Sequence, residues 1–274
     1  MTGRTHPLSP NGYADDFVAR VLDDARAHDA GVYAIAGLQG TGKSTLSAQV
    51  AALAAKRGIS MVVLSIDDFY FDRPQREALA STVHPLLVTR GPPGTHDVAL
   101  ACAVIDDLLR GKPTQLPRFD KIEDRQLPRA DWPLAQLDPA MHNLIVLEGW
   151  FLKVPAQSET ELVAPINALE RDEDPDGGWR RYCNTALRRD YGPLWDTIDR
   201  MLFLHGPGFE VVSDWRWQQE QTLQAANPDR RAMTRPQVER FIQFFERVSR
   251  QALARLPAIA DWCVAIDRQR HPLD

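Results

Sequence analysis

A glycine-rich segment of eight residues limits the folds open to this chain more than any other feature. Residues 37–44 read GLQGTGKS and fit the pattern GxxxxGK[ST]. The apolar run 32–36 precedes this segment, and a stretch with helical character begins at Lys43. In such a strand–turn–helix context, glycines let the backbone wrap around a polyphosphate, while amide N–H groups and the helix N-terminus attract its charge. We therefore predict a nucleoside triphosphate site, and we call residues 37–44 the phosphate loop.

The residue types in the phosphate loop also predict individual roles. The Lys43 ammonium is expected to reach the β- and γ-phosphates and to take part in catalysis, and the Ser44 hydroxyl is expected to bind Mg²⁺. The predicted nucleotide-binding residues are Gly37, Gln39, Gly40, Thr41, Gly42, Lys43, Ser44 and Thr45.

Short apolar runs alternate with helical patterns along almost the whole chain. The runs at 32–36, 61–66, 144–147, 201–204 and 263–266 are the predicted strands, and 43–57 and 98–110 are predicted helices. Since each crossover between parallel strands lays a helix on the sheet, this alternation is typical of a parallel sheet covered on both faces. We predict an α/β fold of the P-loop NTPase type: a three-layer α/β/α sandwich with a mainly parallel five-stranded sheet. Residues 1–274 form one domain in this prediction, with an inserted segment at about 153–199.

Composition argues against several other classes of protein. The chain has 32 basic and 37 acidic residues and a net charge of −5, which disfavours a sequence-independent grip on nucleic acid or anionic lipid. No run of about 18 apolar residues occurs, and the first 17 residues lack the apolar stretch of a secretion signal, so we predict a cytoplasmic protein. The widely spaced Cys102, Cys183 and Cys263 are expected to be buried, reduced thiols.

Two acids follow predicted strands at the sheet edge where ligands bind. Asp67 follows the second strand, across from the expected γ-phosphate, where a carboxylate can orient an acceptor hydroxyl and receive its proton. Glu148 follows the third strand and suits Mg²⁺ or a bound water. The predicted metal ligands are Ser44, Asp67 and Glu148. Both acids have simpler alternatives, a helix cap for Asp67 and a solvated strand end for Glu148.

The segment 84–97 is a loop rich in glycine and proline that opens a helix and could grip a small anionic acceptor. Arg90 has a planar guanidinium, which can donate two parallel hydrogen bonds to a carboxylate. Thr95 or Asp97 could instead be the N-cap of the helix, and His96 could equally be a structural imidazole. The cluster RFDK at 118–121 either lines the acceptor pocket or forms a surface ion pair.

A capping box and an apolar stripe predict a long helix near the C-terminus. Thr234 and Gln237 have the spacing of the capping box. The stripe consists of Val238, Phe241, Ile242, Phe245 and Val248, and we expect it to pack against the sheet without contacting a ligand.

Several of these motifs together resemble the D-glycerate 3-kinase family, which is related to phosphoribulokinase, uridine kinase and pantothenate kinase. The resemblance rests on DDFY at 67–70, RGPPGTHD at 90–97, FDK at 119–121, LEGW at 147–150 and WRWQQE at 215–220. It covers roughly residues 32–220. It implies ATP-dependent phosphorylation of a hydroxyl on a small acid, with Asp67 as the base and Arg216 in a mobile lid over the phosphates. The helical lid, at about 206–235, is implied only by this resemblance. The residues that the resemblance assigns to acceptor binding are Asp67, Tyr70, Arg90, Thr95, His96, Asp97, Asp120 and Lys121.

The leading hypothesis is therefore a kinase that uses ATP and Mg²⁺ to convert D-glycerate to 3-phosphoglycerate. Its expected partner is a small acid, with no role for nucleic acid or membrane. A uridine- or pantothenate-type kinase is the nearest alternative, and the RGPPGTHD loop counts against it. A nucleotide-dependent switch is a third possibility, although the chain has no NKxD motif for guanine specificity.

Overall fold

Five parallel strands form the centre of the molecule. The computed structural model describes residues 12–226 and 233–273. The strands are β1 (Val32–Gly37), β2 (Ile59–Ser65), β3 (His142–Gly149), β4 (Arg200–His205) and β5 (Trp262–Ala265). They lie in the order β2-β3-β1-β4-β5, and every neighbouring pair is parallel. The strand that enters the phosphate loop, β1, is therefore the central one, and the strand that leads to Asp67 is at one edge.

Helices cover both faces of this sheet. They are α1 (Asp15–Ala27), α2 (Lys43–Lys56), α3 (Arg73–Thr82), α4 (Val98–Leu109), α5 (Ala168–Glu173), α6 (Gly178–Arg189), α7 (Gly192–Trp195), α8 (Val212–Ala226) and α9 (Arg235–Arg255). Successive side chains of a strand point to opposite faces. Tyr33 and Ile35 accordingly belong to the core formed with α1 and α2, whereas Ala34 and Ala36 belong to the core formed with α4 and α9.

The predicted three-layer α/β/α fold with five strands is confirmed, and the sheet is entirely parallel. The observed strand limits differ from the predicted ones by one or two residues, as expected where chain ends leave the hydrogen-bond ladder. The predicted capping box at Thr234 and Gln237 is present at the start of α9. The helices α1 and α3 have no counterpart among the elements predicted from the sequence.

One prediction about the cysteines is wrong. Cys183 is buried, but Cys102 is half-buried and Cys263 is exposed. Cys263 lies on β5, the last strand of the sheet, and an edge strand is covered on fewer sides than an interior one. Within the part of the chain that the structure describes, no helix is both long and apolar enough to cross a bilayer.

The segment predicted as an insertion contains α5, α6 and α7, which pack beside α9 and α4. The predicted lid region begins with a short 3₁₀ turn, Phe209–Val211, and continues as α8. Residues 227–232 of that region lie outside the described residues.

Candidate active site

A cavity of about 140 Å³ opens at the carboxyl ends of β1, β2 and β3, beside the phosphate loop. Four cationic side chains and two carboxylates line it: Lys43, Arg90, Lys121, Arg216, Asp67 and Glu148. These residues come from six different parts of the chain. The fold brings them together at the carboxyl ends of the parallel strands. The excess of cations suits an anionic ligand.

The phosphate loop has the backbone conformation that its glycines predict. Gly40 and Gly42 have φ values of 83° and 89°, in the left-handed region that glycine enters without steric cost. A Cβ at Gly40 would lie 2.5 Å from Cβ of Trp215, so a larger residue would also collide with α8. Of the predicted nucleotide-binding residues, Gln39, Gly40, Lys43 and Ser44 line the cavity. Gly37, Thr41, Gly42 and Thr45 complete the loop and the first turn of α2 without lining it.

Lys43 is buried at the base of the cavity. Its Nζ donates to the Leu38 carbonyl at 3.0 Å. Burial lowers the pKa of Lys43, against the attraction of Glu148 and Asp67, which raises it. The ammonium is therefore close to both predicted carboxylates and held on the strand side of the loop.

Ser44 and Glu148 are the residues that could hold a magnesium ion beside the phosphate loop. The Ser44 hydroxyl donates to Oε1 of Glu148 at 2.8 Å, so the two groups already lie side by side. Mg²⁺ usually takes one or two protein oxygens together with waters and phosphate oxygens, which is the number that these two residues offer. Among the described residues, no three His, Cys, Asp or Glu side chains converge as an all-protein metal site.

Asp67 lies in a 3₁₀ turn that follows β2 directly and faces the cavity. Its Oδ1 accepts a hydrogen bond from the Tyr70 hydroxyl and its Oδ2 one from Lys121 Nζ, both at 2.6 Å. Burial by itself raises the pKa of Asp67, but the charge of Lys121 and these hydrogen bonds outweigh burial and hold the pKa well below its usual range. Each oxygen of the Asp67 carboxylate therefore accepts one hydrogen bond and keeps a further lone pair for another ligand.

Arg90 is held by the Lys121 carbonyl and by Asp124, a residue that the sequence motifs do not single out. Its guanidinium pairs with the Asp124 carboxylate and donates to the Lys121 carbonyl at 2.9 Å. Asp124 also pairs at 2.9 Å with Arg76, whose side chain is fully buried. The Phe119 ring lies beneath the Arg90 guanidinium at 5.5 Å. The short antiparallel hairpin formed by Phe119–Asp120 and Arg125–Gln126 carries Lys121 and Asp124. It thus places two cations, Arg90 and Lys121, at the cavity.

Aromatic side chains close the remaining side. Trp150, Phe241 and Phe245 line the cavity together with Gly149 and Gln219. Phe241 and Phe245 of the stripe predicted on α9 are thus also part of the cavity lining. Phe245 is mostly buried, and its ring packs against that of Trp150 with centroids 5.1 Å apart, so it belongs to the core and to the cavity wall at once. Gln219 lies three residues after Arg216 on α8, so the two residues share one face of the helix. This spacing is the sequence signal that could have identified Gln219 as a cavity residue.

Four residues predicted to bind the acceptor do not line this cavity. Asp97 caps α4 by accepting from Leu100 N at 2.9 Å, and Asp120 accepts from the Ile122 and Glu123 amides within its own hairpin. The Thr95 hydroxyl is buried between Gly91 N and the Pro92 carbonyl. His96 is buried with its ring against Tyr70. Thr95, His96 and Asp97 thus shape the loop 90–97 and the start of α4. Asp120 shapes its own hairpin.

The loop 90–97 is nevertheless tied to the turn that carries Asp67. Tyr70 and His96 form an antiparallel bridge, and Phe71 N donates to the Thr95 carbonyl at 2.8 Å. A second cavity lies beyond Pro92 and Pro93, but with about 20 Å³ it has room for about one water. Of these two cavities, only the one beside the phosphate loop has room for a small ligand.

Comparison with known proteins agrees with this fold. No protein-family model matches the chain. The uncharacterized kinase mug58 of Schizosaccharomyces pombe is 29% identical over 203 residues, which cover 71% of each chain. The structure of D-glycerate 3-kinase from Cryptococcus neoformans var. grubii superposes with a TM-score of 0.71 at 23% identity, over 94% of this chain and 96% of that one. The YGR205w protein gives a TM-score of 0.69 at 24% identity, over 94% of each chain. These similarities show that the chain has the same fold as those two proteins.

Proposed function

We propose that this chain is an ATP-dependent kinase that phosphorylates a hydroxyl of D-glycerate and releases 3-phosphoglycerate and ADP. One observation carries the proposal: Asp67 and Lys43 line the same cavity, with Arg90 and Lys121 on its acceptor side. The shared fold with a D-glycerate 3-kinase and the similarity to a protein named as a kinase support it. The acceptor is a small acid, and the cosubstrates are ATP and Mg²⁺.

The phosphate loop and Arg216 act on the triphosphate. Lys43 and the loop amides hold the β- and γ-phosphates, and Arg216 of α8 adds positive charge from the opposite wall. Transfer of a phosphoryl group spreads charge over its oxygens, so fixed cations stabilise the transition state more than the ground state. Mg²⁺, held by Ser44 and Glu148, neutralises charge on the phosphate oxygens when it is bound.

Asp67 orients the acceptor hydroxyl and receives its proton. A carboxylate with a depressed pKa is a weak base, so it takes the proton late, as the new P–O bond forms. This timing suits phosphoryl transfer, whose transition state is loose and demands little deprotonation of the nucleophile. Tyr70 and Lys121 keep the carboxylate in one orientation. Positioning is thus the main contribution of Asp67.

The acceptor carboxylate is recognised by Arg90 and Lys121. A guanidinium can donate two parallel hydrogen bonds to a carboxylate, and the pairing of Arg90 with Asp124 orients this fork in advance. The ring wall of Trp150, Phe241 and Phe245 excludes water and leaves room for a short carbon chain. A neutral acceptor of the same size would make fewer charge-assisted hydrogen bonds to these two cations.

The test is a panel of acceptors incubated with ATP and Mg²⁺ and analysed by phosphorus NMR. We expect ADP and 3-phosphoglycerate with D-glycerate. Activity with uridine or pantothenate and none with D-glycerate would contradict the substrate, and turnover that no small hydroxyl compound affects would contradict the kinase proposal.

Two variants separate the roles of the residues within this proposal. Lys43→Ala should weaken ATP binding and turnover together. Asp67→Asn should keep ATP binding but lower kcat by about 10²–10⁴-fold, the usual contribution of a positioned acid–base group. Asp68→Asn is the matched control, because this neighbouring carboxylate bonds to Arg118 and Phe119 and does not line the cavity. Near wild-type turnover by Asp67→Asn would show that the base is assigned wrongly.

A further inference from the structure

Two residues from opposite ends of the chain hold the back of the phosphate loop. Tyr13, just before α1, donates its hydroxyl hydrogen to the Thr41 carbonyl. Arg270, after β5, donates from Nε to the Gly40 carbonyl. The two side chains lie close to each other, since the charge of Arg270 lowers the pKa of Tyr13 against the larger effect of burial, which raises it. Neither belongs to the glycine-rich motif.

Holding these carbonyls has a direct effect on the amides of the loop. In a trans peptide unit, the C=O and the following N–H point in opposite directions. The hydrogen bond from Tyr13 points the Thr41 carbonyl toward the tyrosine. The Gly42 N–H of the same peptide unit therefore points away from Tyr13. Glycine-rich backbone is otherwise free to adopt many conformations, and loss of that freedom on binding costs free energy. Fixing the carbonyls beforehand reduces this cost.

Tyr13 is itself held by α2. Its backbone N–H donates to Gln49 Oε1 at 2.9 Å, and its carbonyl accepts from Gln49 Nε2 at 2.8 Å. The ring covers Gly42, where an added Cβ would lie 3.1 Å from it. Tyr13 thus joins the phosphate loop to the helix that the loop begins.

Arg270 joins the loop to α8 instead. Its Nη2 donates to Gln218 Oε1 at 2.9 Å, and its guanidinium lies 5.1 Å from the centre of the Trp215 ring. The same helix carries Arg216 and Gln219 into the cavity. One guanidinium therefore contacts the phosphate loop and the lid helix at the same time.

The local backbone is built to present Arg270. Its φ of 70° lies in the left-handed region, which a residue with a side chain adopts only when its surroundings enforce it. Asp267 enforces it by accepting hydrogen bonds at 2.8 Å from the amides on either side, those of Gln269 and His271. Trp215 Nε1 donates to the Arg268 carbonyl at 2.9 Å and ties the same turn to α8.

We propose that Arg270 is a positioning residue for ATP: it fixes the phosphate loop in its binding conformation and aligns it with α8. This inference rests on the proposed function, because it assigns the triphosphate to the loop. A guanidinium is required, since it donates in several fixed directions while its flat face stacks on an aromatic ring. A lysine ammonium is a single point of charge and lacks the flat donor fork.

The test compares Arg270→Met, Arg270→Lys and Tyr13→Phe with the wild type. The dissociation constant of Mg·ATP is measured by calorimetry without acceptor, and KM for each substrate and kcat are measured separately. For Arg270→Met we expect the Kd and the KM for ATP to rise about tenfold, the order expected for loss of one charge-assisted hydrogen bond. The KM for D-glycerate should stay within about twofold, because Arg270 does not line the cavity. Arg270→Lys should recover only part of the loss, and Tyr13→Phe should show a smaller rise in the same direction.

Arg255→Met is the matched control, because it removes an exposed arginine from the end of α9. It should leave the Kd and both KM values unchanged. Wild-type ATP affinity in Arg270→Met would overturn the proposal, and so would a purely structural pattern in which thermal stability and the active fraction fall while the Kd stays constant.

The same measurements on the wild-type protein test the proposed function separately from the role of Arg270. A wild-type protein that binds ATP but phosphorylates no acceptor contradicts the proposed function, and the Kd comparison still decides the role of Arg270. A wild-type protein without measurable affinity for ATP overturns both.

Discussion

Asp124 is the residue that holds Arg90 at the cavity. Its carboxylate receives Arg90 from one direction and the buried Arg76 from another, and its own backbone has a φ of 54°. Arg76 also donates to the carbonyls of Phe71 and Val88, so it connects the hairpin to two other segments. Arg90 is thereby kept at the cavity, because its partner is fixed.

We predict that Asp124→Asn raises the KM for D-glycerate about tenfold while the KM for ATP stays within about twofold. Asparagine tolerates the left-handed conformation, so the backbone of the hairpin keeps its shape, while the charge that pairs with Arg90 and Arg76 is lost. Steady-state kinetics with each substrate varied in turn gives both constants. Glu123→Gln, an exposed neighbour, should change neither. An equal rise in both KM values would mean that the hairpin itself had been disturbed.

His96 is a buried neutral imidazole. The Tyr191 hydroxyl accepts from Gly94 N at 3.0 Å and is hydrogen-bonded to His96 Nδ1 at 2.7 Å. Burial lowers the pKa of His96 to about 3, although the nearby charge of Asp67 acts in the opposite direction. In the unfolded chain the imidazole gains a proton near pH 6.5, so between about pH 6.5 and 3 the unfolded state binds more protons than the folded one.

The sign of the pH dependence follows from this difference. The contribution of neutral His96 to stability is complete above pH 6.5 and is lost progressively as the pH falls. Between pH 7 and 5, the free energy of unfolding should decrease in both proteins. We predict that the decrease is about 2 kcal/mol larger for the wild type than for His96→Gln. Urea denaturation at several pH values measures this. The exposed His28→Gln should follow the wild-type curve, and a His96→Gln curve parallel to wild type would contradict the prediction.

At the scale of elements, α8 forms the wall of the cavity that faces the phosphate loop. Trp215 packs against Gly40, and Arg216 lines the cavity with its guanidinium 5.8 Å from the centre of the Phe241 ring. An Nη1 of Arg216 donates to Gln219 Oε1 at 3.3 Å. The helix thus presents one positive charge and one amide toward the site.

We predict that Arg216→Ala lowers kcat by about 10²–10³-fold and raises the KM for ATP less than about threefold, because its charge acts mainly on the transferring group. Initial rates at saturating D-glycerate separate the two effects. Gln221→Ala, an exposed position on the same helix, is the control and should behave as wild type. A large rise in KM with constant kcat would make Arg216 a binding residue only.

At the scale of the whole molecule, the segment 153–199 is fastened to the long helix α9 that also supplies two rings of the cavity. Glu170 of α5 and Arg247 of α9 are both buried and form an ion pair at 2.6 Å. Arg247 donates further to the carbonyls of Glu161 and Ala164. The rest of the α5 contact includes an exposed pair between Arg240 and Glu173.

We predict that Arg247→Met destabilises the protein by about 3–5 kcal/mol, because it leaves the Glu170 charge buried without its partner. Adding Glu170→Gln should recover part of this loss. The control is Arg240→Met, which breaks an exposed pair between the same two helices and should cost less than about 1 kcal/mol. Chemical denaturation measures all three. Equal losses from Arg247→Met and Arg240→Met would show that burial of the pair does not matter.

Local sequence alone determined the phosphate loop, the five strands and the capping box of α9. Each of these depends on the conformational preferences of neighbouring residues or on apolar periodicity, which a linear sequence carries in full. The pairing of Glu148 with Ser44 could also be anticipated, because parallel strands end at one edge of the sheet.

Only the tertiary structure decided which side chains meet in the cavity and which are used by the fold. Asp97 and Asp120 resemble ligand-binding acids in the sequence, yet nearby backbone amides engage both. Lys121 reaches Asp67 across 54 positions, and Arg270 reaches Gly40 across 230. Such contacts depend on how separate elements pack. No local propensity or periodic pattern encodes that packing, so these partners became visible only in the folded chain.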